Sequence, residues 1–482
     1  MKKLLKISWP FIALAILAFT LHFAFLSYPS QVVFDEVHFG KFVGAYFTGR
    51  YYFDIHPPLG KLMIAGFAKL TGVNPIFAPV PEPNGSVRGI TFDKIGEAIP
   101  AKTLFILRFL PAFFGGLFVL AFSWLAWLIS RNKAAALIAG FLILLDNAFL
   151  VQSKFILVDI FMLFFEILAF CFFFLYQRQK SFGVKWWSYL TLTAIFFGLT
   201  ISIKWTGLAT IGIIGVVLFI KIGSRRLAGY LSPLNEFRRK IITRESLVGL
   251  VIIVVIGFFV YLIPFSVHFQ LLPHSGPGDA FMSWTFQQEL KYGAQNYDEP
   301  LTFWQKFTEL NQKMWQYNST LSADHPFGSR WYGWPLDHKP VYYWNSDVPQ
   351  SSAKIYFIGN PALWWLSAAL IIFLLFQTLS KKGRRALEPI FYILILGYLA
   401  NLLPFILVKR VSFLYHYLPS ATFAILLFGL WLGKKWRTDK AFISILIALI
   451  ALSFFITLPF SYGLPLPPAI NQLELHLIQF LN

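Results

Sequence analysis

Residues 104–130 read LFILRFLPAFFGGLFVLAFSWLAWLIS, a stretch in which Arg108 is the only charged side chain. A hydrocarbon core of ~30 Å needs about 20 apolar residues in a helix, so this stretch is long enough to cross a membrane. The rest of the chain is similar, since 57% of its 482 residues are hydrophobic, 19% are aromatic and only 13% are charged. This composition is too apolar for an ordinary soluble protein. It predicts an all-α polytopic membrane protein.

Hydropathy along the whole chain predicts about eleven transmembrane helices. They lie at roughly 8–27, 104–130, 134–151, 155–176, 188–203, 205–221, 246–266, 359–379, 387–407, 417–433 and 441–461. Lys2, Lys3 and Lys6 precede the first of these, and no small-residue cleavage site follows it. We therefore expect a retained signal anchor with a cytoplasmic amino terminus.

The formal net charge is +19, but the basic residues lie mainly in the loops between predicted spans and do not form a nucleic-acid-binding patch. Of the 41 Lys and Arg residues, 23 lie at the amino terminus and in the loops that this orientation places inside. Those loops are 131–133, 177–185, 221–244, 381–385 and 434–440. The single cysteine, Cys171, lies within a predicted span and excludes an internal disulfide framework or a cysteine metal cluster.

Two long segments interrupt the spans, and the predicted topology places both on the outer face. The chain then has three parts: residues 1–266 with seven spans and the outer loop 28–103, residues 267–358 as an outer cap, and residues 359–482 with four spans and an outer tail. Residues 36–47 favour a short interfacial helix, and residues 74–100 favour an irregular loop.

The cap is rich in tryptophan and could hold a small set of helices and loops. Its tryptophans are Trp284, Trp304, Trp315, Trp331, Trp334 and Trp344. They fit either an interfacial aromatic belt or contacts to a substrate, and the sequence leaves both alternatives open.

The strongest candidate for chemistry is the acidic pair Asp35 and Glu36, directly after the first span. Other polar side chains fall on outer turns of the same topology: Arg108, Asp146, Asn147, Gln152, Lys154, Lys204, Lys409, Arg410 and His416. A carboxylate beside several cations fits a transferase whose donor is a sugar phosphate on a lipid. The carboxylate would take a proton from an acceptor hydroxyl, and the cations would stabilise the leaving phosphate. One carboxylate is enough for an inverting displacement, whereas a retaining one needs a carboxylate nucleophile.

Each of these features also has a purely structural explanation. An acidic pair in a loop is usually solvated charge, Lys and Arg near helix ends extend to the headgroups, and His56 before two prolines can cap a turn. His38, His56, Asp35 and Glu36 are competent metal ligands, but their spacing matches no diagnostic pattern. We therefore predict no metal ligands, while the sequence leaves a divalent metal open.

Several ordered blocks together resemble the protein O-mannosyltransferases, GT-C glycosyltransferases that use mannose linked to a polyprenyl phosphate. The blocks are 34–40 (FDEVHFG), 56–61 (HPPLGK), 145–147 (LDN), 152–159 (QSKFILVD), 204–208 (KWTGL), 334–336 (WPL) and 413–419 (FLYHYLP). The resemblance implies a GT-C fold with about eleven transmembrane helices and two long outer loops.

The resemblance also implies roles for individual residues. Asp35 would be the base that activates a Ser or Thr hydroxyl, with Glu36 beside it organising the acceptor, and Arg108 would be the main phosphate contact. The other donor-binding candidates are Lys154, Lys204, Asp146, Asn147, Gln152, Arg410 and His416. His56, Lys61 and Trp334 would organise the acceptor or its loops. Lys154 stands where many relatives are expected to have Arg, which weakens a bidentate phosphate contact there.

The 92 residues of the cap leave no room for the β-trefoil MIR domain of the eukaryotic enzymes, so the chain resembles the small prokaryotic type. That type implies a cell-membrane location, an active site on the extracytoplasmic face, a polyprenyl-phosphate-mannose donor, exported protein acceptors and no further cofactor. Three alternatives stay open: a related transferase with another sugar or a lipid acceptor, such as aminoarabinose transfer to lipid A, a transporter, and a noncatalytic binding subunit.

Overall fold

A computed structural model describes residues 9–75, 80–81, 87–88, 92–223, 228–229, 231, 239–296, 299–320, 324–346 and 353–482. The predicted loops 74–100 and 221–244 are therefore described only in part. The helices of the amino-terminal half are α1 (Trp9–Phe23), α2 (Glu36–Thr48), α3 (Leu59–Leu70), α4 (Ala101–Ser130), α5 (Lys133–Leu144), α6 (Asn147–Lys154), α7 (Asp159–Gln177), α8 (Val184–Ile201), α9 (Leu208–Gly223) and α10 (Arg239–Leu271).

The carboxyl-terminal half adds eight helices and a hairpin to the described structure. The helices are α11 (Trp284–Tyr292), α12 (Phe303–Thr320), α13 (Pro361–Thr378), α14 (Lys381–Ala386), α15 (Pro389–Leu402), α16 (Leu418–Lys435), α17 (Lys440–Tyr462) and α18 (Pro468–Leu481). The four strands are β1 (Val80–Pro81), β2 (Val87–Arg88), β3 (Val341–Asn345) and β4 (Lys354–Phe357), and they form two antiparallel pairs, β1 with β2 and β3 with β4.

The polytopic helical fold is confirmed, and each of the eleven predicted spans coincides with helix. Within the described ranges, nine helices are long and apolar enough to cross a membrane, and the bent pair α5–α6 gives a tenth. The remaining predicted span corresponds to α1, whose 15 described residues are fewer than the roughly 20 of a full crossing. The seventh span is longer than predicted, because α10 continues to Leu271 and so passes the boundary placed at residue 266.

The predicted span 134–151 is broken into two helices that meet at 61°. The break has a local cause in Asp146, whose backbone is extended and whose carboxylate accepts hydrogen bonds from the N–H groups of Ala148 and Phe149. An aspartate in this position is a helix N-cap, so it ends one helix and begins the next. Every residue of α6 is buried, and this short helix therefore turns back into the protein.

Small residues bring α5 and α16 into close contact. Gly429 and Gly433 repeat at a four-residue interval on α16 and face Ala139 and Ala135 of α5. A Cβ atom at Gly433 would lie 2.2 Å from the Ala135 Cα, and one at Gly429 would lie 2.8 Å from the Ala139 Cα. Such spacing is typical of packed membrane helices, where dispersion contacts rather than the hydrophobic effect hold helices together.

The two long segments, the loop 28–103 and the cap 267–358, combine a predicted helix with hairpins that the sequence analysis missed. The short helix expected at residues 36–47 is present as α2, which ends at Gly49 with a φ of +71°. The β3–β4 hairpin lies where only helices and loops were expected, and β1–β2 lies within the segment expected to be irregular. The aromatic run of Tyr342, Tyr343 and Trp344 is typical of a strand and was the available signal.

The tryptophans of the cap differ in burial, and contact with a substrate stays a prediction for them. Trp284, Trp304 and Trp315 are largely exposed, as an interfacial belt requires. Trp334 and Trp344 are buried, so they belong to the interior of the cap.

Candidate functional site

The site is built on a buried ion pair between the first residue of α2 and the second turn of α4. Glu36 and Arg108 are both fully buried, and two parallel hydrogen bonds of 2.8 Å join the guanidinium to the carboxylate. The same carboxylate also accepts hydrogen bonds from the backbone N–H groups of Val33 and Ile156, both at 2.9 Å. Glu36 therefore joins α4, the loop before α2 and the turn after α6.

The contacts of Arg108 argue against its role as the main phosphate contact, which stays a prediction from the sequence. Its remaining donors are bound by the carbonyl oxygens of Leu26, Pro29 and Gln31 at 3.3, 3.0 and 2.9 Å. An arginine has five N–H donors, and all five are used within the protein. No donor is left for a lipid phosphate, so Arg108 positions the loop that carries Asp35. Glu36, predicted to organise the acceptor, has its carboxylate engaged by Arg108 and the backbone, which favours a structural role for it.

Asp35 has the opposite environment to its neighbour. It is partly buried, it makes no side-chain cap to α2, and its carboxylate forms no hydrogen bond or ion pair with the described residues. Burial raises the pKa of Asp35 to about 7, with Lys204 lowering it and Asp159 and Asp54 raising it. Asp35 thus has an unoccupied carboxylate and a pKa close to neutral pH, as a general base requires.

Two ion pairs contribute to the potential at Asp35. Lys204 donates to both carboxylate oxygens of Asp159, at 2.7 and 2.9 Å. Lys61 forms an ion pair with Asp54 and donates to the carbonyl oxygen of His56 at 2.8 Å. Each lysine is thereby held at a fixed place at the same end of the helices as Asp35.

A hydrogen-bond chain connects the cap to the first of these pairs. The hydroxyl of Tyr343 donates to Gln152, and the Gln152 amide donates to Asp159, both at 2.9 Å. Burial and the Asp35 carboxylate raise the pKa of Tyr343 well above its ordinary value, so the hydroxyl stays protonated. Gln152 was predicted to contact the sugar donor. In the structure it holds the Asp159 carboxylate that pairs with Lys204.

Arg410 and two histidines complete the cluster. One Arg410 amino group donates to Asn318 at 2.5 Å, whereas the buried Arg410 Nε has no hydrogen-bond partner among the described residues. Burial lowers the pKa of His56 well below its ordinary value, and Lys204, Lys61, Arg410 and His416 lower it further. His56 is therefore neutral.

Trp334 packs against the His416 side of the cluster. Its ring stacks on the His416 ring with centroids 6.0 Å apart, and its indole N–H donates to Ser329 at 2.9 Å. The Nδ1 atom of His416 lies 3.1 Å from the backbone nitrogen of Phe413. The structure thus brings together Asp35, His56, Lys61, Lys204, Arg410, His416 and, through its stacking, Trp334.

Three predicted donor contacts lie outside this cluster. Asp146 caps α6 and accepts a hydrogen bond from the indole of Trp364 at 2.5 Å, and Asn147 bonds to Ser461 and Thr457 of α17. Lys154 donates to the carbonyl oxygen of Ala24, with its ammonium 4.3 Å from the centre of the Tyr462 ring. All three side chains are buried and engaged in helix packing, which favours a structural role for them over the predicted donor binding.

Sequence reasoning missed several residues that the structure adds to the site, namely Asp54, Asp159, Asn318, Tyr343 and Tyr415. The ring centre of Tyr415 lies 5.7 Å from the Lys204 ammonium. Buried charges are usually paired, which favours carboxylate partners for Lys61 and Lys204 without identifying them. Within the described ranges, no three His, Cys, Asp or Glu side chains are grouped as a metal site would require.

Comparison with known proteins gives a consistent family. Residues 12–273 match the family described as dolichyl-phosphate-mannose-protein mannosyltransferase, and residues 303–478 match the C-terminal four TMM region of protein-O-mannosyltransferase. The chain is 35% identical over 294 residues to dolichyl-phosphate-mannose--protein mannosyltransferase 4 of Saccharomyces cerevisiae, covering 60% of this chain and 35% of that protein. It is 31% identical over 287 residues to protein O-mannosyltransferase 1 of Drosophila melanogaster, covering 59% and 30%. The chain thus spans about a third of the length of these curated relatives.

Solved structures share the fold. A chain of the S. cerevisiae protein O-mannosyltransferase Pmt1-Pmt2 complex bound to the sugar donor superposes with a TM-score of 0.83 at 20% identity, covering 96% of this chain and 91% of that one. The apo oligosaccharyltransferase of Archaeoglobus fulgidus gives 0.51 at 15% identity, covering 95% and 55%. The fold is the GT-C fold that the resemblance implied.

We predict that the Glu36–Arg108 pair is required for folding. Arg108→Met leaves a buried carboxylate without its cation, and it should lower the free energy of unfolding by about 3–5 kcal/mol. The matched control is Lys434→Met, because the Lys434–Glu388 pair is exposed and should contribute at most about 1 kcal/mol. Unfolding in detergent micelles measures both, and Glu36→Gln added to Arg108→Met should recover part of the loss. If Arg108→Met is as stable as the wild type but binds the sugar donor more weakly, Arg108 contacts the phosphate and the prediction is wrong.

Proposed function

The chain belongs to the dolichyl-phosphate-mannose-protein mannosyltransferase family, and we propose that it transfers mannose from a polyprenyl phosphate to Ser or Thr hydroxyls of exported proteins. One observation carries this proposal: Asp35 has a free carboxylate with a pKa of about 7, among cations that are fixed in place. A base beside a phosphate-binding group is what an inverting sugar transfer from a lipid phosphate requires.

The proposed reaction is a single displacement. The Asp35 carboxylate takes the proton of the acceptor hydroxyl as the hydroxyl oxygen forms a bond to the anomeric carbon of mannose. The bond between that carbon and the phosphate oxygen breaks, and its electron pair leaves with the polyprenyl phosphate. Because one attack occurs from the side opposite the leaving group, the configuration at the anomeric carbon inverts. No step is assigned to a metal ion.

Arg410 is our proposed main contact to the donor phosphate, in place of Arg108. Its buried Nε has no partner among the described residues, and a guanidinium matches the geometry of phosphate oxygens. Lys204 adds positive charge near Arg410, since both cations lower the pKa of His56. His416 and Lys61 complete the electropositive side of the site. His56 and Trp334 shape its wall toward the acceptor.

The reaction would take place on the outer face of the cell membrane. The segment from Arg108 to Ser130 of α4 is about 33 Å long at 1.5 Å per residue, so the Asp35 cluster and the basic loop 131–133 lie at opposite ends of the helices. Because basic loops face the cytoplasm, the cluster would face outward. The amino terminus would then be cytoplasmic, as the sequence predicts.

The family match favours a protein acceptor over a lipid or glycan acceptor, and a transferase over a transporter. The relatives from S. cerevisiae and D. melanogaster carry protein mannosyltransferase names, and no observation favours aminoarabinose transfer. Purified enzyme offered both a Ser/Thr peptide and a lipid acceptor, with polyprenyl-phosphate-mannose as donor, tests this assignment. Transfer to the lipid alone would favour the sister function.

We predict that Asp35→Asn lowers kcat by about 10²–10⁴, the usual contribution of a general base. The amide keeps the size of the side chain but cannot accept the hydroxyl proton. The readout is mannose transfer to a peptide by purified enzyme. Asp324→Asn is the matched control, since Asp324 is an exposed acid of the cap and its variant should retain full turnover. Full turnover by a folded Asp35→Asn enzyme would rule out Asp35 as the base.

We predict that activity rises with pH through neutrality. The base works as a carboxylate, and burial moves its pKa from an ordinary value near 4 to about 7. Below that pH the carboxyl is protonated, so kcat/KM should fall about tenfold per pH unit and should level off above pH ~8. Initial rates between pH 5.5 and 8.5, with unfolding measured at each pH, test this prediction. A flat profile down to pH 5.5 would contradict it.

We predict that Arg410→Met weakens donor binding. Loss of a charge-assisted hydrogen bond to phosphate is worth about 1.5–3 kcal/mol, so the donor Kd should rise roughly tenfold to a hundredfold. Lys409→Met is the matched control, because Lys409 is the adjacent cation and is exposed. Both variants are titrated with polyprenyl phosphate, which carries the phosphate and lipid of the donor without its mannose. Equal effects of the two substitutions would indicate a general charge effect rather than a contact from Arg410.

A further inference from the structure

A polar cavity lies at the end of the helices opposite Asp35. It has a volume of about 840 Å³, within the range of sites that hold small ligands. It is formed where α4 ends, α5 begins, α15 begins and α16 ends. Its charged lining residues are Arg131, Lys133, Lys434, Arg437 and Glu388. Nothing in the proposed transfer reaction uses it.

The charge of the cavity is strongly unbalanced. Four cations face a single acid, and that acid, Glu388, pairs with Lys434 at 2.6 Å. Lys133 and Arg437 form no ion pair within the described part of the chain. Lys133 also occupies the first turn of α5, where the helix dipole is already positive. The cavity therefore has a surplus of positive charge that an anion would neutralise.

Besides Ser130 and Asn132, the uncharged lining is largely apolar. Ile390 and Phe391 are buried, and Ile129, Leu430 and Ala135 extend the same wall. A free inorganic anion makes no use of such a wall, whereas an amphiphile places its phosphate among the cations and its glycerol and upper chain carbons on the apolar side. Basic pockets between transmembrane helices bind anionic lipid headgroups in this way.

We propose that this cavity binds an anionic phospholipid from the leaflet opposite the Asp35 cluster. The phosphate lies among Lys133, Arg437 and Arg131, and the glycerol region lies against Ile390 and Phe391. Glu388 opposes binding, because it is the acidic side chain of the lining and it neutralises Lys434. The site is independent of the mannose-transfer proposal, since it shares no residue with the Asp35 cluster.

The test is lipid binding to the purified full chain by native mass spectrometry, in mixed micelles of phosphatidylcholine with increasing phosphatidylglycerol. Each cation near a phosphate contributes about a fivefold change in affinity, so Lys133→Gln with Arg437→Gln should weaken phosphatidylglycerol binding roughly twentyfold. Glu388→Gln should tighten it about fivefold. This opposite sign keeps the test informative if the double variant proves unstable.

The matched control is Lys381→Gln with Lys382→Gln, two exposed cations of α14 near the cavity but outside its lining. Their loss should change the affinity less than twofold. An equal loss in this control would attribute binding to diffuse surface charge and overturn the proposal. Inorganic phosphate or phosphatidylcholine that displaces phosphatidylglycerol at equal concentration would also overturn it, because the site would then select either a free anion or any lipid.

Discussion

The ion pair between Glu36 and Arg108 is the interaction on which the outer end of this protein depends. Burying two charges costs several kcal/mol per ion, and such a pair is stable only when its geometry is good and its other hydrogen-bonding positions are satisfied. Here the carboxylate accepts four hydrogen bonds and the guanidinium donates five. The guanidinium also packs against the Phe155 ring, 4.9 Å from its centre. The first outer loop is therefore fixed to α4 and to the turn after α6.

That arrangement gives two consecutive acids opposite properties. Glu36 uses its full hydrogen-bonding capacity inside the protein, and Asp35, one residue earlier, is left free. The backbone between them is oriented by Phe34, which has a φ of +45° and stacks on Tyr343 with ring centroids 3.9 Å apart. The β3 strand thus helps to hold the carboxylate that we propose as the base. The strand acts by positioning Phe34, and Tyr343 lies more than 300 residues from Phe34 in sequence.

The sequence predicts the helices well because membrane crossing depends on local composition, and local composition can be read from a window of about 20 residues. It also singles out Asp35, which stands beside the first span in a distinctive block, and its role as the base stays a prediction. The role of Arg108 could not be predicted, since a lone arginine in an apolar span binds either a ligand or a buried acid, and only the fold decides which. The same limit applies to Lys204 and Asp159, which pair across 45 residues. The break at Asp146 and the β3–β4 hairpin depend on contacts between distant segments.

The bent pair α5–α6 has a consequence for how the protein is assembled. Its bend is completed by residues that enter the membrane much later, since Trp364 donates to Asp146 across 218 residues and Asn360 donates to the carbonyl oxygens of Leu145 and Ile450. Before these partners arrive, the carboxylate and the open carbonyl groups of the bend would lack part of their hydrogen bonding in lipid, which is strongly unfavourable. The first half of the chain therefore cannot reach its final form alone. The hydrogen bonds of the bend are complete only after α13 and α17 have been inserted. This region therefore reaches its final form only when the helical bundle is assembled.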